Sequence, residues 1–426
     1  MERATYDGGP GSGKEKDMKA GRPFPQLTIS KKGSRTVQEG HPWIYAEEVL
    51  SEQTEIENGS IVDAVSENGR YLGSGLLSKE SKIRIRLLSR NANERFEESF
   101  WRRRLEYAWN YRKTVMRDDL DCCRVIFGEA DGLPGLTVDR FSDLLSTQCL
   151  SYGMEQRKSM LYSLLLEVLR EDGQNVRAFF ERNDNPLRER EGLNQEKGWF
   201  RLPGTEPPDT AVTQITENGI HYLVDVENGQ KTGFFLDQKF NRAAVGRISE
   251  NRRVLDCFMH TGSFALNAAL GGASTVTAVD ISEKAVELAR KNAERNGLED
   301  RIDFLVADVF ELLPQLTEKS KNPYDLIILD PPAFTKSRKT SSNAERGYRE
   351  INYRAMKLLP RGGYLATASC SHFMPSRQFE VMLRAAARDA GVSLRQIEVR
   401  QQAPDHPVLW NVPETDYLKF YIFQVV

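Results

Sequence analysis

Residues 253–270 read RVLDCFMHTGSFALNAAL, and this stretch decides the fold. An apolar run ends in Asp256, the turn carries Thr261-Gly262-Ser263, and SFALNAAL continues as a helix. Downstream, TVTAVDI (275–281) reads as a strand and EKAVELARKNAERNG (283–297) as a helix closed by Gly297. IDFLVAD (302–308), YDLIILDPP (324–332), a helix around YREINYRAMKLL (348–359) and GGYLATASC (362–370) complete the series. Strand–helix alternation without an internal repeat predicts a doubly wound, mainly parallel α/β sheet. Just upstream, VTQITENGIHYLVDV (212–226) reads as a hairpin turning at Asn218-Gly219.

Open α/β sheets bind ligands beyond the carboxyl ends of their strands. Asp256, Asp280 and Asp308 each end a successive strand there. Asp280 lies 18 residues after Gly262, a spacing at which an acid accepts from ribose hydroxyls, and Asp308 is placed to accept from an adenine amino group. The turn carries one glycine where a dinucleotide pyrophosphate needs G-x-G-x-x-G, which argues against a nicotinamide oxidoreductase. The reading is an adenosyl ligand without phosphates, S-adenosylmethionine (SAM), with Gly262 allowing close backbone approach. Upstream, ENGQKTGFFLDQKFNR (227–242) reads as a lid, with one of the adjacent Phe234 and Phe235 against the ligand and Asp237 and Gln238 toward its methionine part. The structural alternatives are that Gly262 only makes a turn, that Ser282 caps a helix, and that the lid is a packed loop.

The fourth strand ends in Asp330-Pro331-Pro332-Ala333-Phe334, a stiff loop suited to holding a flipped base. The fifth ends in Cys370 on the same rim. Carbon 5 of cytosine is too poor a nucleophile to attack a methylsulfonium until a thiolate adds to carbon 6. Cys370 is the expected nucleophile and Asp330 the group that hydrogen-bonds or protonates the ring. The competing reading is that Cys370 merely packs. Cys257 reads as structural.

The rest of the chain bounds this reading. With 426 residues, several domains are expected. Residues 1–25 read as a disordered tail. LTISKKG, GSIVDAVSENGRYLGSGLLS and KIRIRLLS alternate as short strands and turns of a small β-barrel over 26–95, with Pro42, Trp43 and Tyr45 in a packed turn. Residues 96–205 read as an α+β middle domain, from a helix at FWRRRLEYAWNYRKTV to strands at VIFGEADGLPGLTVDRF, LLSTQCL and AFFERN, with a helix at MLYSLLLEVLRE. The doubly wound part covers 206–426. Net charge is −2, so nucleic-acid contact must be local. Lys336–Arg361 holds eight basic residues, Lys336, Arg338 and Lys339 among them, against Glu345 and Glu350; Lys79–Arg104 holds nine against four acidic. A solvated helix face explains either run alone; the first directly follows the Asp330 loop, which favours RNA. Five scattered cysteines, no zinc-ligand spacing, no signal pattern and no ~20-residue apolar run predict a cytoplasmic protein without metal or membrane contact.

As an ordered set these motifs resemble the PUA-domain class of SAM-dependent methyltransferases of large-subunit ribosomal RNA, the RlmI-like cytosine-C5 enzymes. HPWIY is similar to that family's PUA signature, GEADGLPGLTVDRF to its middle domain, and GQKTGFFLDQKFNR, VLDCFMHTGSF, VDIS, DPPAF, SCS and RQQAPDHPV to its catalytic domain. The resemblance implies a class I, Rossmann-like methyltransferase domain behind a PUA-like barrel, and large-subunit rRNA as partner. It implies SAM near Phe235, Asp237, Gln238, Asp256, Gly262, Asp280, Asp308 and Asp330, and Cys370 as nucleophile. Thr261, Ser263, Phe264, Ile281, Ser282 and Val309 complete the expected cofactor set; Pro331, Pro332, Phe334, Lys336, Arg338 and Lys339 form the expected RNA set. Wider RNA cytosine methyltransferases often carry a second cysteine where this chain has Ala333, so product release cannot use a thiol there. The rival activities are methylation of an exocyclic amino group, which needs no cysteine, and RNA binding without catalysis. The oligomeric state is not fixed by sequence, with a homodimer kept as a candidate.

Overall fold

The computed structural model describes residues 22–52, 55–319, 323–334 and 341–426. The chain forms two compact units, residues 1–95 and 96–426.

In the first unit, β1 (Gln26–Ile29), α1 (Lys31–Gln38), β2 (Trp43–Tyr45), β3 (Val49–Glu52), β4 (Ile61–Ser66), β5 (Tyr71–Leu77) and β6 (Ile83–Ser89) form a six-stranded sheet of order β2-β6-β5-β4-β1-β3 plus a helix. Leu27, Ile29, Val37, Ile44, Val62, Leu77 and Ile85 build its core. Two expectations are corrected. KKGSRTVQ is a helix, capped where Ser30 Oγ accepts from Gly33 N at 3.3 Å; eight residues give too little periodicity to read. WIY is a strand paired to β6 where a packed turn was expected. The expected tail also ends too late. Arg22 Nε donates to the buried Asp63 carboxylate at 2.7 Å and the Pro25 carbonyl accepts from Asp63 N, so residues 22–25 are tied to the sheet. The remainder of that expected tail, residues 1–21, lies outside the described residues.

The second unit begins with α2 (Glu98–Met116), β7 (Cys122–Phe127), β8 (Leu136–Phe141), β9 (Leu144–Cys149), α3 (Tyr152–Glu155), α4 (Lys158–Glu171), β10 (Ala178–Asn183) and β11 (Glu196–Phe200). Its five-stranded sheet runs β11-β10-β9-β8-β7, with β11 an addition to the expected set. The hairpin β12 (Val212–Glu217) and β13 (Ile220–Asp225) turns where expected, with φ of 53° at Asn218 and 79° at Gly219 as a two-residue primed turn requires.

After the hairpin come α5 (Lys239–Arg247), β14 (Arg253–Cys257), α6 (Ser263–Leu270), β15 (Thr275–Asp280), α7 (Glu283–Arg295), β16 (Ile302–Val306), α8 (Val309–Lys319), β17 (Leu326–Leu329), α9 (Ser341–Leu358), β18 (Tyr364–Ser369), α10 (Ser376–Ala390), β19 (Leu394–Arg400) and β20 (Lys419–Val425). The sheet order is β16-β15-β14-β17-β18-β20-β19. β14 to β18 are parallel, and β20 enters antiparallel to both β18 and β19. Successive residues of each strand face opposite layers: Val254, Val276 and Ile328 join one apolar cluster, Leu255, Val279 and Ile327 the other. The first cluster also takes in Cys122, Phe141 and Phe180, so the five-stranded sheet and the doubly wound sheet share one core. The order reverses between β14 and β17, which opens a crevice at their carboxyl ends.

Candidate functional site

The turn after β14 is held in a conformation that ordinary residues avoid. Phe258, His260 and Gly262 have φ of 64°, 51° and 78°. Backbone bonds from Met259 N to the Val279 carbonyl (3.0 Å) and from Gly262 N to the Met259 carbonyl (2.9 Å) fix it, and His260 N donates to Asp280 Oδ2 at 2.9 Å. Gly262 serves packing more directly than ligand approach. A Cβ there would meet Ala289 Cβ of α7 at 2.9 Å. Asp256 is buried, and its Oδ2 accepts from Ala265 N in the first turn of α6 at 2.9 Å. Burial pushes its carboxyl well above the usual range, offset in part by that bond. Among the described residues, Asp256 Oδ1 and Thr261 Oγ1 have no hydrogen-bond partner. Ser263 Oγ accepts from Arg242 Nη1 at 3.2 Å. Phe264 does not face the crevice: its ring stacks on Phe420 in the core at 5.8 Å, leaving only its backbone for a ligand.

Asp280 is half-buried, and its two oxygens accept from His260 N and Ser282 N. Ser282 caps α7 through Ala285 N at 3.3 Å, as its structural reading had it. Ile281 is 69% exposed, an apolar side chain left in solvent at the rim. Asp308 Oδ1 accepts from Phe310 N at 2.8 Å, while Val309 is buried in the apolar layer. Phe258, Phe310 and Phe334 gather with centroids 5.5–6.4 Å apart, and Phe334 lies 4.6 Å from the Tyr348 ring. Phe334 thus belongs to an aromatic cluster as well as to the expected RNA loop.

The stretch read as a lid is a 3-10 turn over Leu236–Gln238 running into α5. Phe235 is half-buried, meeting the His260 ring edge-on at 5.3 Å, with Lys231 Nζ 4.8 Å from its centroid. Burial holds the His260 imidazole down at about 4, so it is neutral at physiological pH. Asp237 is buried. Its Oδ2 accepts from Tyr417 OH at 2.7 Å, and its Oδ1 has no partner among the described residues. Burial alone would raise its pKa, but Lys231, His406, Tyr417 and Arg124 outweigh it and hold the carboxylate at about 2. Gln238 bridges inward, donating from Nε2 to Asp330 Oδ1 at 2.9 Å and accepting from Asn241 at 2.6 Å. Arg242, buried in a bidentate pair with Glu217 (2.7 and 3.1 Å), also donates to the Phe235 carbonyl, so one guanidinium ties the hairpin, the lid and the α6 start together.

Asp330 and Cys370 follow the neighbouring parallel strands β17 and β18. Burial, then the nearby Asp237 charge, lifts the Asp330 carboxyl to about 7. Pro331 is buried and Pro332 exposed. The half-buried Cys370 thiol lies 4.0 Å from the Pro331 carbonyl oxygen, so sulfur and loop share one side of the sheet. Burial and Asp330 push the thiol up to about 11, against Lys231 and Lys419, which lower it. The other four cysteines are buried.

Sequence reading missed Lys231, His260, Tyr417 and Lys419. Lys231 sat inside a stretch already singled out. Tyr417 and Lys419 reach the site only because β20 pairs antiparallel with β18, a long-range register with no local signal. Of the basic run after Asp330, Lys336, Arg338 and Lys339 lie outside the described residues. Arg354 pairs with Glu350 at 2.8 Å and Arg349 with Asp389; Arg346, Lys357 and Arg361 are exposed.

The crevice fits SAM chemically. Buried polar atoms without partners among the described residues, at Asp237, Asp256 and Thr261, match the amino and hydroxyl groups of such a ligand, and exposed Ile281 offers an apolar contact. Comparison with known proteins agrees. A family model described as S-adenosylmethionine-dependent methyltransferase matches residues 199–423, and a PUA-like domain model matches 27–90. The chain is 38% identical to ribosomal RNA large subunit methyltransferase I of Klebsiella pneumoniae (strain 342) over 405 residues, 95% of this chain and 99% of that protein. It is equally similar to the enzyme of that name from Escherichia coli O157:H7, over 94% and 99%. In fold it resembles a Streptococcus mutans protein described as a SAM-dependent methyltransferase, at TM-score 0.78 and 22% identity over 94% of this chain and all of that one. A crystal structure described as a methyltransferase complexed with SAH matches at TM-score 0.79, 22% identity and the same coverage. The chain therefore belongs to the SAM-dependent methyltransferases, in the family of ribosomal RNA large subunit methyltransferase I, with a PUA-like domain ahead of the catalytic fold.

Proposed function

We propose that the protein methylates carbon 5 of a cytosine in large-subunit ribosomal RNA through a covalent adduct on Cys370. The observation that carries this reading is the partly buried thiol beside the Asp330-Pro331 loop, at the edge of the sheet that carries Asp256. Asp237, Gln238, Asp256, Asp280 and Asp308 hold the cofactor, with Phe235 and Ile281 as its apolar contacts. When bound, SAM supplies an electrophilic methyl group. Cys370 Sγ adds to carbon 6 of the extruded base, and the ring electrons shift toward N3. Asp330, half protonated near pH 7, donates to that nitrogen as charge develops. A base then takes the carbon-5 proton while the thiolate leaves. Residues 26–95 and the basic side chains of α9 contact RNA phosphates and fix the register.

One observation favours the rival transfer to an exocyclic amino group: the thiol of the free protein is held up at about 11, far from its thiolate. Nucleoside mass spectrometry of rRNA from cells with and without the protein separates the readings. Loss of 5-methylcytosine in the deletion, restored by the wild type but not by Cys370→Ala, supports cytosine methylation. Unchanged 5-methylcytosine with loss of an amino-methylated base contradicts it.

A further inference from the structure

If Cys370 is the nucleophile, something must offset the burial and the Asp330 charge that keep it protonated. Among the described residues, Asp330 and Asp237 oppose its ionisation; Lys231 and then Lys419 favour it. The two lysines differ in setting. Lys231 is exposed on the lid, where water and salt screen it. Lys419 is 5% exposed, on β20 directly opposite Ser369 of β18, the residue before Cys370. Its Nζ donates to the carbonyl of Ser371, the residue after Cys370, at 2.7 Å, and to that of Tyr417 at 2.8 Å. An ammonium has three N–H donors, so carbonyls occupy two of them. Among the described residues no carboxylate forms an ion pair with it. A buried ammonium without a paired anion is unfavourable, and a side chain that only braced a loop would not need the charge. Burial draws the Lys419 amine down to about 8; the charges acting the other way are Cys370 and then Asp416.

We propose that Lys419 is the positioning residue that makes Cys370 a nucleophile, its ammonium serving as the fixed counter-charge of the thiolate. This rests on the nucleophile reading above. The Sγ–H bond breaks, the proton leaves to solvent, and the electron pair stays on sulfur, next in the chain to the Ser371 carbonyl that holds the ammonium. That pair forms the Sγ–C6 bond and returns to sulfur when the bond breaks at product release. Charge stabilisation is present while Lys419 is protonated and is lost as the pH rises through about 8.

The test is the pH profile of Cys370 alkylation by iodoacetamide in the full-length protein, read by peptide mass spectrometry; the other cysteines are buried and react slowly. Below about pH 8, where the wild-type amine is protonated, Lys419→Met and Lys419→Gln lower the alkylation rate about tenfold, and the profiles converge as the amine titrates. Lys419→Arg stays near wild type, and Lys231→Met lowers the rate less than Lys419→Met. Gln keeps a donor for the carbonyls, so it decides the matter if Met fails to fold, as checked by melting and SAM binding. In methyl transfer, Lys419→Gln lowers kcat and leaves the SAM KM near wild type. Profiles of Lys419→Met and Lys419→Gln that superpose on wild type overturn the role of Lys419. Full methyl transfer by Cys370→Ala overturns the nucleophile reading instead, whatever the alkylation profiles are.

Discussion

Cys257 and Cys370 stand at the same edge of one sheet, at the ends of β14 and β18, yet their surroundings differ in every respect that matters for chemistry. Cys257 is 0% exposed, sealed among Leu255, Val279, Ile327 and Leu329. Burial and then Asp256 hold its thiol far above the usual range, with no cation among the causes. Cys370 is only partly buried, and a lysine on each of two elements, the lid and β20, favours its ionisation. A carboxyl-end position makes a cysteine available to a crevice. Exposure and counter-charge make it reactive.

Substituting both cysteines tests that contrast most severely. Cys370→Ala should lower methyl transfer roughly a thousandfold or more, whereas Cys257→Ala should keep most activity and lose about 1–2 kcal/mol of stability by cavity formation. Kinetics and thermal melting read the two effects. Comparable loss from both would erase the distinction.

Asp330→Asn sharpens it next. The Asp330 carboxyl titrates at about 7, so its donor form is present below that pH and is lost above it. The thiolate population grows with pH over the same range, so wild-type kcat should rise up to about pH 7 and then level off. The Asn variant should lose about 10²–10⁴-fold and lack that break. A wild-type profile that keeps rising without a break near neutrality would remove Asp330 as donor.

Tyr417→Phe probes the cofactor side of the same crevice. It strips one of the bonds that hold Asp237 ionised, so SAM affinity should weaken by about 1–3 kcal/mol, measured by calorimetry, with kcat little changed. Ile281→Ser should have the smallest effect, about 1 kcal/mol in SAM affinity, because it removes one apolar contact from an already exposed position.

What the sequence revealed follows the same division. β14 to β18 were legible because buried parallel strands read as apolar runs, and each Asp at a run's end marks the rim. α7 was legible from Ser282 to Gly297 because its cap and its left-handed stop, φ 62°, are local signals. α10, β19 and β20 were not read, and with β20 went Tyr417 and Lys419. Antiparallel insertion of the last strand between β18 and β19 is a pairing across the chain, invisible to any window of residues. Phe264 was drawn into the cofactor set by adjacency, but helix geometry turns its ring into the core onto Phe420, from that same unread strand.

The most direct measurement uses target rRNA carrying 5-fluorocytidine, incubated with the protein and SAM. Fluorine cannot leave carbon 5 as a proton does, so the account predicts a denaturation-resistant protein–RNA adduct that maps to the Cys370 peptide and is absent from Cys370→Ala. Ready methylation of unsubstituted RNA with no adduct on the fluorinated form, or an adduct on another residue, would contradict it.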